Sequence, residues 1–402
     1  MDLKNIIYLY ANDESTLEKP SVWVIFGAGE RGRQLFQILA NQNILIDYYC
    51  DNDIKKQGTV IDGIPCMSIN DLKLKKESYC IIVSPYNGHQ LFEDLKERGF
   101  HYVVSPDIFN LVAYMDNKSY CDGKDNFFPF GHFYSLYPNM KEMHQKEQSL
   151  FSDDKVIADI DFNEDIQKDF LKKMTTLYDT IPNWENMSVP LGTTNLRHRY
   201  GNPSLSPGDA IGLHCMLRIL QSKRLIEVGS GYTSAVTLDT NEFYLENKID
   251  LKFIEPYPTL LQSLLKKSDK VELMPTGLQE IPLSTFEQLD SGDILFIDST
   301  HVSKIGSDVN YLFFEILPSL KKGVYIHLHD IFYPFEYPKQ WIYSGMIWNE
   351  LYLLRAFLQN NKDYEIIFFQ NMMEKKYMNL FLEKWPLQAP VHGGSFWLRK
   401  KF

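Results

Sequence analysis

The stretch Ile226-Glu-Val-Gly-Ser-Gly-Tyr-Thr-Ser234 sets Gly229, Ser230 and Gly231 between an apolar run and a helix-like segment, with Glu227 just before them. Glycine lets the backbone pass close to a ligand and adopt positive φ, and the N–H groups that open a helix have no partner inside it. The turn has the chemistry of a ligand cradle, with a purely structural strand-to-helix turn as its alternative. Farther on, Glu255 closes Phe253-Ile-Glu-Pro256 and Asp298 closes Ile294-Leu-Phe-Ile-Asp298. A carboxylate at a strand end can accept both hydroxyls of a ribose, or merely cap the strand. Asp298, followed by Ser299, Thr300 and His301, has less structural reason to be there.

A second group comprises His301, His327, His329 and Asp330. Alternate residues of a strand share one face, so the imidazoles of His327-Leu-His329 point together, with Asp330 in the loop that follows. Histidine titrates near neutral pH and suits proton transfer. Base, metal ligand and hydrogen-bonded core histidine all stay open for these rings. Asp298 and Asp330 are the candidates for a divalent cation. Hard cations want oxygen ligands and this region is rich in imidazole, so the expectation is a site without metal.

These residues need a scaffold that brings strand ends together. Short apolar runs at Arg224–Val228, Leu251–Ile254, Lys270–Met274, Ile294–Ile297 and Gly323–Leu328 alternate with helical stretches, which predicts a mostly parallel sheet covered on both faces. In such sheets ligands lie beyond the carboxyl ends of the strands, where Gly229, Glu255 and Asp298 would converge. Tyr364–Gln370 and Gly394–Arg399 read as closing strands, a hairpin at the sheet edge.

A smaller unit precedes this one. Val22–Phe26 reads as a buried strand, followed by Gly27-Ala-Gly-Glu-Arg-Gly32 and a helix over 33–41. The strand Ile44–Cys50 ends at Asp51, about 20 residues past the glycines, where a dinucleotide fold often places an acid near a ribose. Gly27, Gly29, Gly32 and Asp51 are thus a candidate nucleotide site. Further strands at Tyr79–Ser84 and Tyr102–Ser105 complete an α/β unit over 1–107. Residues 108–165 read as an aromatic and helical connector, and 166–402 as the larger domain.

The ordered set Glu-Val-Gly-Ser-Gly, Ile-Glu-Pro and Phe-Ile-Asp-Ser resembles the class I S-adenosylmethionine-dependent methyltransferases, over roughly Arg197 to the C-terminus. It is similar to a bacterial branch that also carries Gly-His-Phe-Tyr-Ser, here Gly131–Ser135, and His-x-His-Asp-Ile-Phe, here His327–Phe332. The resemblance implies that S-adenosylmethionine is the cofactor, with Gly229, Ser230 and Gly231 at its methionine part. It also implies Glu255 on the ribose, Leu278 and Gln279 at the adenine, and Asp298 near the reactive end. Gly27–Pro65 resembles the N-terminal nucleotide-sugar-binding domain of bacillosamine-pathway acetyltransferases, without their left-handed helical repeat.

Methyl transfer to a hydroxyl needs the nucleophile aligned with the sulfonium methyl and a base within reach, for which His329, His301 and Asp330 are the candidates. The aromatic run 331–338 offers walls for a sugar, and Arg197, His198, Arg199 and Tyr200 an approach for an anionic acceptor. Aromatic core and solvated surface are the plain alternatives.

Bulk properties bound these readings. A chain of 402 residues suggests two domains, and 44% hydrophobic with 23% charged residues suits a globular fold. The net charge of −11 disfavours an extended nucleic-acid interface. Five scattered cysteines without a C-x-x-C pair, no signal-peptide pattern and no apolar run near the roughly 20 residues of a membrane span point to a cytoplasmic protein. A homo-oligomer is compatible with all of this.

The expectation is therefore an α/β protein of two Rossmann-like doubly wound domains, the second a class I methyltransferase sheet. It would O-methylate a sugar or nucleotide-linked sugar in surface-polysaccharide biosynthesis. The competing readings are a noncatalytic nucleotide-binding assembly protein and a nucleotide-sugar dehydrogenase or epimerase centred on Gly27–Gly32.

Overall fold

The computed structural model describes residues 7, 20–72, 79–85, 88–106, 108, 131–187, 195–385 and 392–402. The chain forms two compact units, one of residues 1–147 with 339–347, the other of 148–338 with 348–402. Each contains one mixed, mainly parallel α/β sheet, as the alternation of apolar runs and helices implied. Residues 109–130 of the expected connector, including Asn126–Phe130 of its aromatic run, lie outside the described residues. Among the described residues, no helix is long and apolar enough to cross a membrane.

In the first unit, β1 (Val22–Phe26) leads through the glycine turn into α1 (Glu30–Asn41), and β2 (Tyr48–Cys50), β3 (Val60–Ile61), β4 (Ile64–Met67) and β5 (Tyr79–Val83) follow. Helix α2 (His89–Glu97) and β6 (Tyr102–Val104) complete it, with strand order β3-β4-β2-β1-β5-β6. Two points differ from expectation. The second strand is shorter, because residues 44–47 lie outside the ladder and pairing with β1 begins only at Tyr48. The β3–β4 hairpin was not foreseen, although Ile61-Asp-Gly-Ile64 carries its signal: both turn residues have positive φ, which Asp-Gly accommodates. Of the Gly131–Ser135 segment, the His132 and Phe133 rings stack at 4.1 Å and Phe133 and Tyr134 stay exposed.

The second unit opens with α3 (Glu164–Thr175) and α4 (Pro207–Leu220), then alternates β7 (Arg224–Val228), α5 (Tyr232–Tyr244), β8 (Asp250–Ile254), β9 (Val271–Met274), β10 (Ile294–Ile297) and β11 (Tyr325–Leu328). After α6 (Glu350–Leu358) come β12 (Tyr364–Phe369), α7 (Gln370–Leu382) and β13 (Phe396–Lys400). The strand order is β12-β13-β11-β10-β7-β8-β9, all parallel except β13, which runs antiparallel to both neighbours. Ser206 caps α4 by accepting the Asp209 N–H, and Pro207 occupies the first turn where a missing N–H costs nothing. That helix and α5 bury nearly their whole surface, which explains their weak amphipathicity.

The closing strands form and pair antiparallel, with β12 at the sheet edge, but not as a hairpin. Helix α7 separates β12 from β13, and β13 inserts between β11 and β12. Burial does not set this order, since the outermost β12 is as covered as β13; the pairings do, with β13 bonded antiparallel to β11 on one side and β12 on the other.

Both sheets reverse direction beside their first strand, and each glycine turn sits at that reversal. Gly27, at φ +103, lies so close to Ser84 that a Cβ would come within 2.7 Å of its Oγ. Gly229, at φ +76, lies so close to the Asp298 carbonyl that a Cβ would stand 1.7 Å from its oxygen. The two units solve the same packing problem with the same residue type.

Candidate functional site

Adjacent parallel strands β8, β7, β10 and β11 deliver Glu255, Gly229–Gly231, Asp298 and His329–Asp330 at their carboxyl ends. Direct bonds join them. The Ser230 N–H donates to Glu255 Oε2 at 2.9 Å, and the Tyr257 N–H donates to Oε1 at 2.7 Å. One carboxylate thereby ties the glycine turn to the end of the neighbouring strand.

Beneath the turn, Glu227 is fully buried. Its Oε1 accepts from the hydroxyls of Thr233 at 2.7 Å and Ser234 at 2.6 Å, in the first turn of α5. Its Oε2 and the neighbouring Ser230 Oγ have no partner among the described residues. Burial pushes the Glu227 carboxyl up to about 8, against the pull of the two hydroxyls. An unsatisfied buried oxygen is costly, and two of them flanking one turn suit a polar or cationic ligand group.

Leu278 and Gln279 form a short 3₁₀ turn after β9. Leu278 is buried, whereas the Gln279 side chain donates to the Gly306 carbonyl at 2.8 Å.

The second group closes on His301. Its Nε2 lies 3.5 Å from Asp298 Oδ1 and 3.6 Å from Asp330 Oδ2, while its Nδ1 lies 2.8 Å from Glu350 Oε2. His301 and Asp330 both hold φ +59, the left-handed region that Asp and His enter more readily than most side chains. Burial opposes charging of His301, but Asp298, Glu350 and Asp330 outweigh it and hold the imidazole well above its usual range. Burial likewise opposes ionisation of Asp298, yet His329 and His301 keep its carboxyl below the ordinary value. For Asp330 burial wins, pushing it up to about 6.

His329 is buried, with Nε2 at 3.8 Å from Asp330 Oδ1. Burial opposes its charge, and Asp298 and Asp330 raise it. His327 shares the face, its ring 5.6 Å from that of His329, but stacks on Phe296 at 3.9 Å and meets Trp397 edge-on. Burial keeps its pKa well below the usual range, so it is a neutral core histidine.

The structure corrects the expected anion approach. The Arg197 guanidinium is buried and paired with Asp239, Glu242 and Asp269. Asp239 also accepts the backbone N–H groups of Arg197 and His198 at 2.9 Å. Arg197 and His198 are thus pinned to α5 and closed to a ligand, while Arg199 and Tyr200 are half-buried and Arg199 donates to the Asn186 carbonyl at 2.9 Å. The aromatic run is split: Phe335 and Tyr337 are core, while Phe332 and Tyr333 are half-buried.

Sequence reasoning missed Glu350. It lies 49 positions beyond His301 at the start of an ordinary helix, where an acid reads as favourable to the helix dipole.

Asp298, His301 and Asp330 each offer an atom within 4.8 Å of the others, a donor set that fits a divalent cation taking mixed oxygen and nitrogen ligands. The Nε2–carboxylate gaps of 3.5 and 3.6 Å exceed a well-formed hydrogen bond.

In the first unit, Asp51 lies under the glycine turn. Its Oδ2 accepts from Ala28 N at 2.8 Å and Lys56 Nζ at 2.9 Å, and its Oδ1 from Asp53 N at 2.9 Å. A Cβ on Gly32 would lie 1.8 Å from the Gly27 carbonyl oxygen, so that glycine serves packing. Gly29 has nothing within 4 Å of its Cβ position and opens on a cleft of about 450 Å³ lined also by Glu30, Arg33, Gln37, Lys56 and Asp62.

No family model matches this chain. A curated protein of Archaeoglobus fulgidus described as uncharacterized is 29% identical over 171 residues, covering 42% of this chain and 76% of that one. Among solved structures, the FkbM methyltransferase of Methylobacillus flagellatus aligns at 12% identity over 91% of this chain and 88% of its own, with TM-score 0.42. The methyltransferase PaMTH1 of Podospora anserina, bound to S-adenosylhomocysteine, aligns at 13% identity over 69% and 99%, with TM-score 0.33. The O-methyltransferase TomG of Streptomyces achromogenes, bound to S-adenosylmethionine, gives 13%, 65%, 96% and 0.30. These likenesses are distant, and the fold class rests on the strand pairings themselves.

Proposed function

We propose that this chain is an S-adenosylmethionine-dependent methyltransferase acting on a hydroxyl of a sugar or nucleotide-linked sugar. The observation that carries the reading is the junction at β7 and β8: a glycine turn bonded to Glu255, with buried, unsatisfied oxygens on Glu227 and Ser230 in the same strand-to-turn segment. A ribose diol fits Glu255 and an ammonium group fits Glu227. Acidic groups around the turn suit a cationic ligand.

The cofactor would supply an electrophilic methyl on a sulfonium. Ser230 and the N–H groups opening α5 would hold its polar end, Glu255 its ribose and Leu278 its base, leaving Asp298 beside the methyl. His301, its Nε2 3.5 Å from Asp298 and 3.6 Å from Asp330, would receive the acceptor's hydroxyl proton only in its neutral form, which the surrounding carboxylates shift to higher pH, and Asp330 would orient that hydroxyl. His329 supports Asp330 from the buried side. A second reading has a specific observation behind it: Asp298, His301 and Asp330 would hold a divalent cation that lowers the acceptor's pKa.

The sugar acceptor and a role in surface-polysaccharide biosynthesis rest on motif resemblance and on the first unit, whose open Gly29 cleft suits a nucleotide sugar. Titration calorimetry with S-adenosylhomocysteine tests the core of the reading. Micromolar binding, followed by methyl transfer from labelled S-adenosylmethionine to a panel of nucleotide sugars, is the expected result. Absence of binding to folded protein would return the noncatalytic and dehydrogenase readings to the front.

A further inference from the structure

The start of helix α6 is built around His301. The Asn349 and Glu350 N–H groups both donate to the His301 carbonyl at 3.1 Å, and the Trp348 ring lies 4.5 Å from the imidazole. The Ser303 N–H donates to Asn349 Oδ1 at 2.6 Å, and Asn349 Nδ2 donates back to the Ser303 carbonyl at 3.1 Å. The Glu350 carboxylate, 1% exposed, meets Nδ1 at 2.8 Å while its other oxygen has no partner among the described residues. Burying a half-satisfied carboxylate is unfavourable, and a helix start does not require it, since an exposed acid there serves the dipole equally well.

We propose that Glu350 is a positioning residue: it accepts the Nδ1–H of His301 and so fixes the ring with Nε2 facing Asp298 and Asp330. An imidazole has two usable nitrogens, and a hydrogen bond at one decides which is offered for proton transfer or ligation and stops the ring from rotating. The backbone clamp from residues 349 and 350 sets where His301 sits. The carboxylate sets which way its ring faces. The inference rests on the proposed function only for what Nε2 does, because either a base or a cation ligand needs the same orientation.

The test is nuclear magnetic resonance of the full chain carrying ¹⁵N-histidine and saturated with S-adenosylhomocysteine. The expected result is a slowly exchanging, strongly downfield Nδ1–H proton, assigned by its loss in His301→Gln. In Glu350→Gln, which keeps size and one acceptor oxygen, it should move upfield by a part per million or more and exchange at least tenfold faster, with S-adenosylhomocysteine affinity within twofold. Glu350→Asp should restore part of the downfield shift, a rescue that a merely structural helix-start acid would not give. An unchanged His301 signal in Glu350→Gln overturns the proposal, and should that variant not fold, a Glu350→Asp signal identical to wild type does the same. If wild type binds no S-adenosylhomocysteine, the methyltransferase reading falls while the Nδ1–H signal of the free protein still decides the role of Glu350.

Discussion

The Ser230 N–H and Glu255 Oε2 are 2.9 Å apart, so the acid that would hold the ribose also anchors the glycine turn. Replacing Glu255 with Ala removes a charged hydrogen-bond acceptor from both turn and ligand. Hydrogen bonds to charged groups contribute about 1.5–3 kcal/mol. S-adenosylhomocysteine affinity should therefore fall roughly 10- to 100-fold by calorimetry. Glu255→Gln, which keeps an acceptor, should lose less; equal affinity in wild type and Glu255→Ala would remove the residue from the site.

Gly229→Ala should be far worse than Gly29→Ala. A Cβ at 229 would meet the Asp298 carbonyl oxygen at 1.7 Å in a positive-φ backbone, whereas position 29 has ordinary φ and open space. Chemical denaturation should show a loss above about 4 kcal/mol, or no folded protein, for the first and within about 0.5 kcal/mol of wild type for the second. If the cleft of the first unit takes a ligand, Gly29→Ala reports on it without disturbing the fold.

The contrast shows what was legible in the sequence. Apolar runs and glycine turns are local signals, so the parallel strands and the clustering at strand ends of Gly229, Glu255 and Asp298 could be read from spacing and fold rule together. Features that depend on distant partners could not. Glu350 announces itself only as a helix-start acid until the fold places it on His301, and Arg197 looks like a surface cation until Asp239, Glu242 and Asp269 surround it. The insertion of β13 between β11 and β12 is likewise a pairing choice among non-local strands. The β3–β4 turn was a local signal overlooked within a polar loop.

Glu227 should make stability depend on pH. Its carboxyl is raised from 4.5 to about 8 in the folded chain, so the folded state keeps a proton that the unfolded state releases. The contribution is fully present below the unfolded value and is lost as pH rises through about 8. Thermal melts across that window should slope downward in wild type and less so in Glu227→Gln. An ammonium group arriving at Oε2 would favour the ionised form, so S-adenosylhomocysteine binding near neutral pH should release protons. Calorimetry in two buffers of different ionisation enthalpy measures that release, and Glu227→Gln should abolish it.

Arg197 is expected to act in folding and not in acceptor binding. Removing one partner of a buried ion pair strands the others, a loss of about 3–5 kcal/mol. Arg197→Met should lower the melting temperature markedly, while any fraction that folds keeps wild-type S-adenosylhomocysteine affinity. Selective loss of activity toward an anionic acceptor, at unchanged stability, would reinstate the surface reading.

The cation reading of Asp298, His301 and Asp330 separates cleanly from cofactor binding. In the proposed reading the glycine turn and Glu255 would hold the cofactor without them, so treatment with a chelator should leave S-adenosylhomocysteine affinity unchanged. Added Mn²⁺ should raise the melting temperature of the S-adenosylhomocysteine complex, because binding to the folded state alone stabilises it by mass action. The increment should vanish in Asp330→Asn and His301→Gln, each of which removes one donor of the set. An increment that survives both substitutions would assign the cation elsewhere and leave His301 as the proton acceptor.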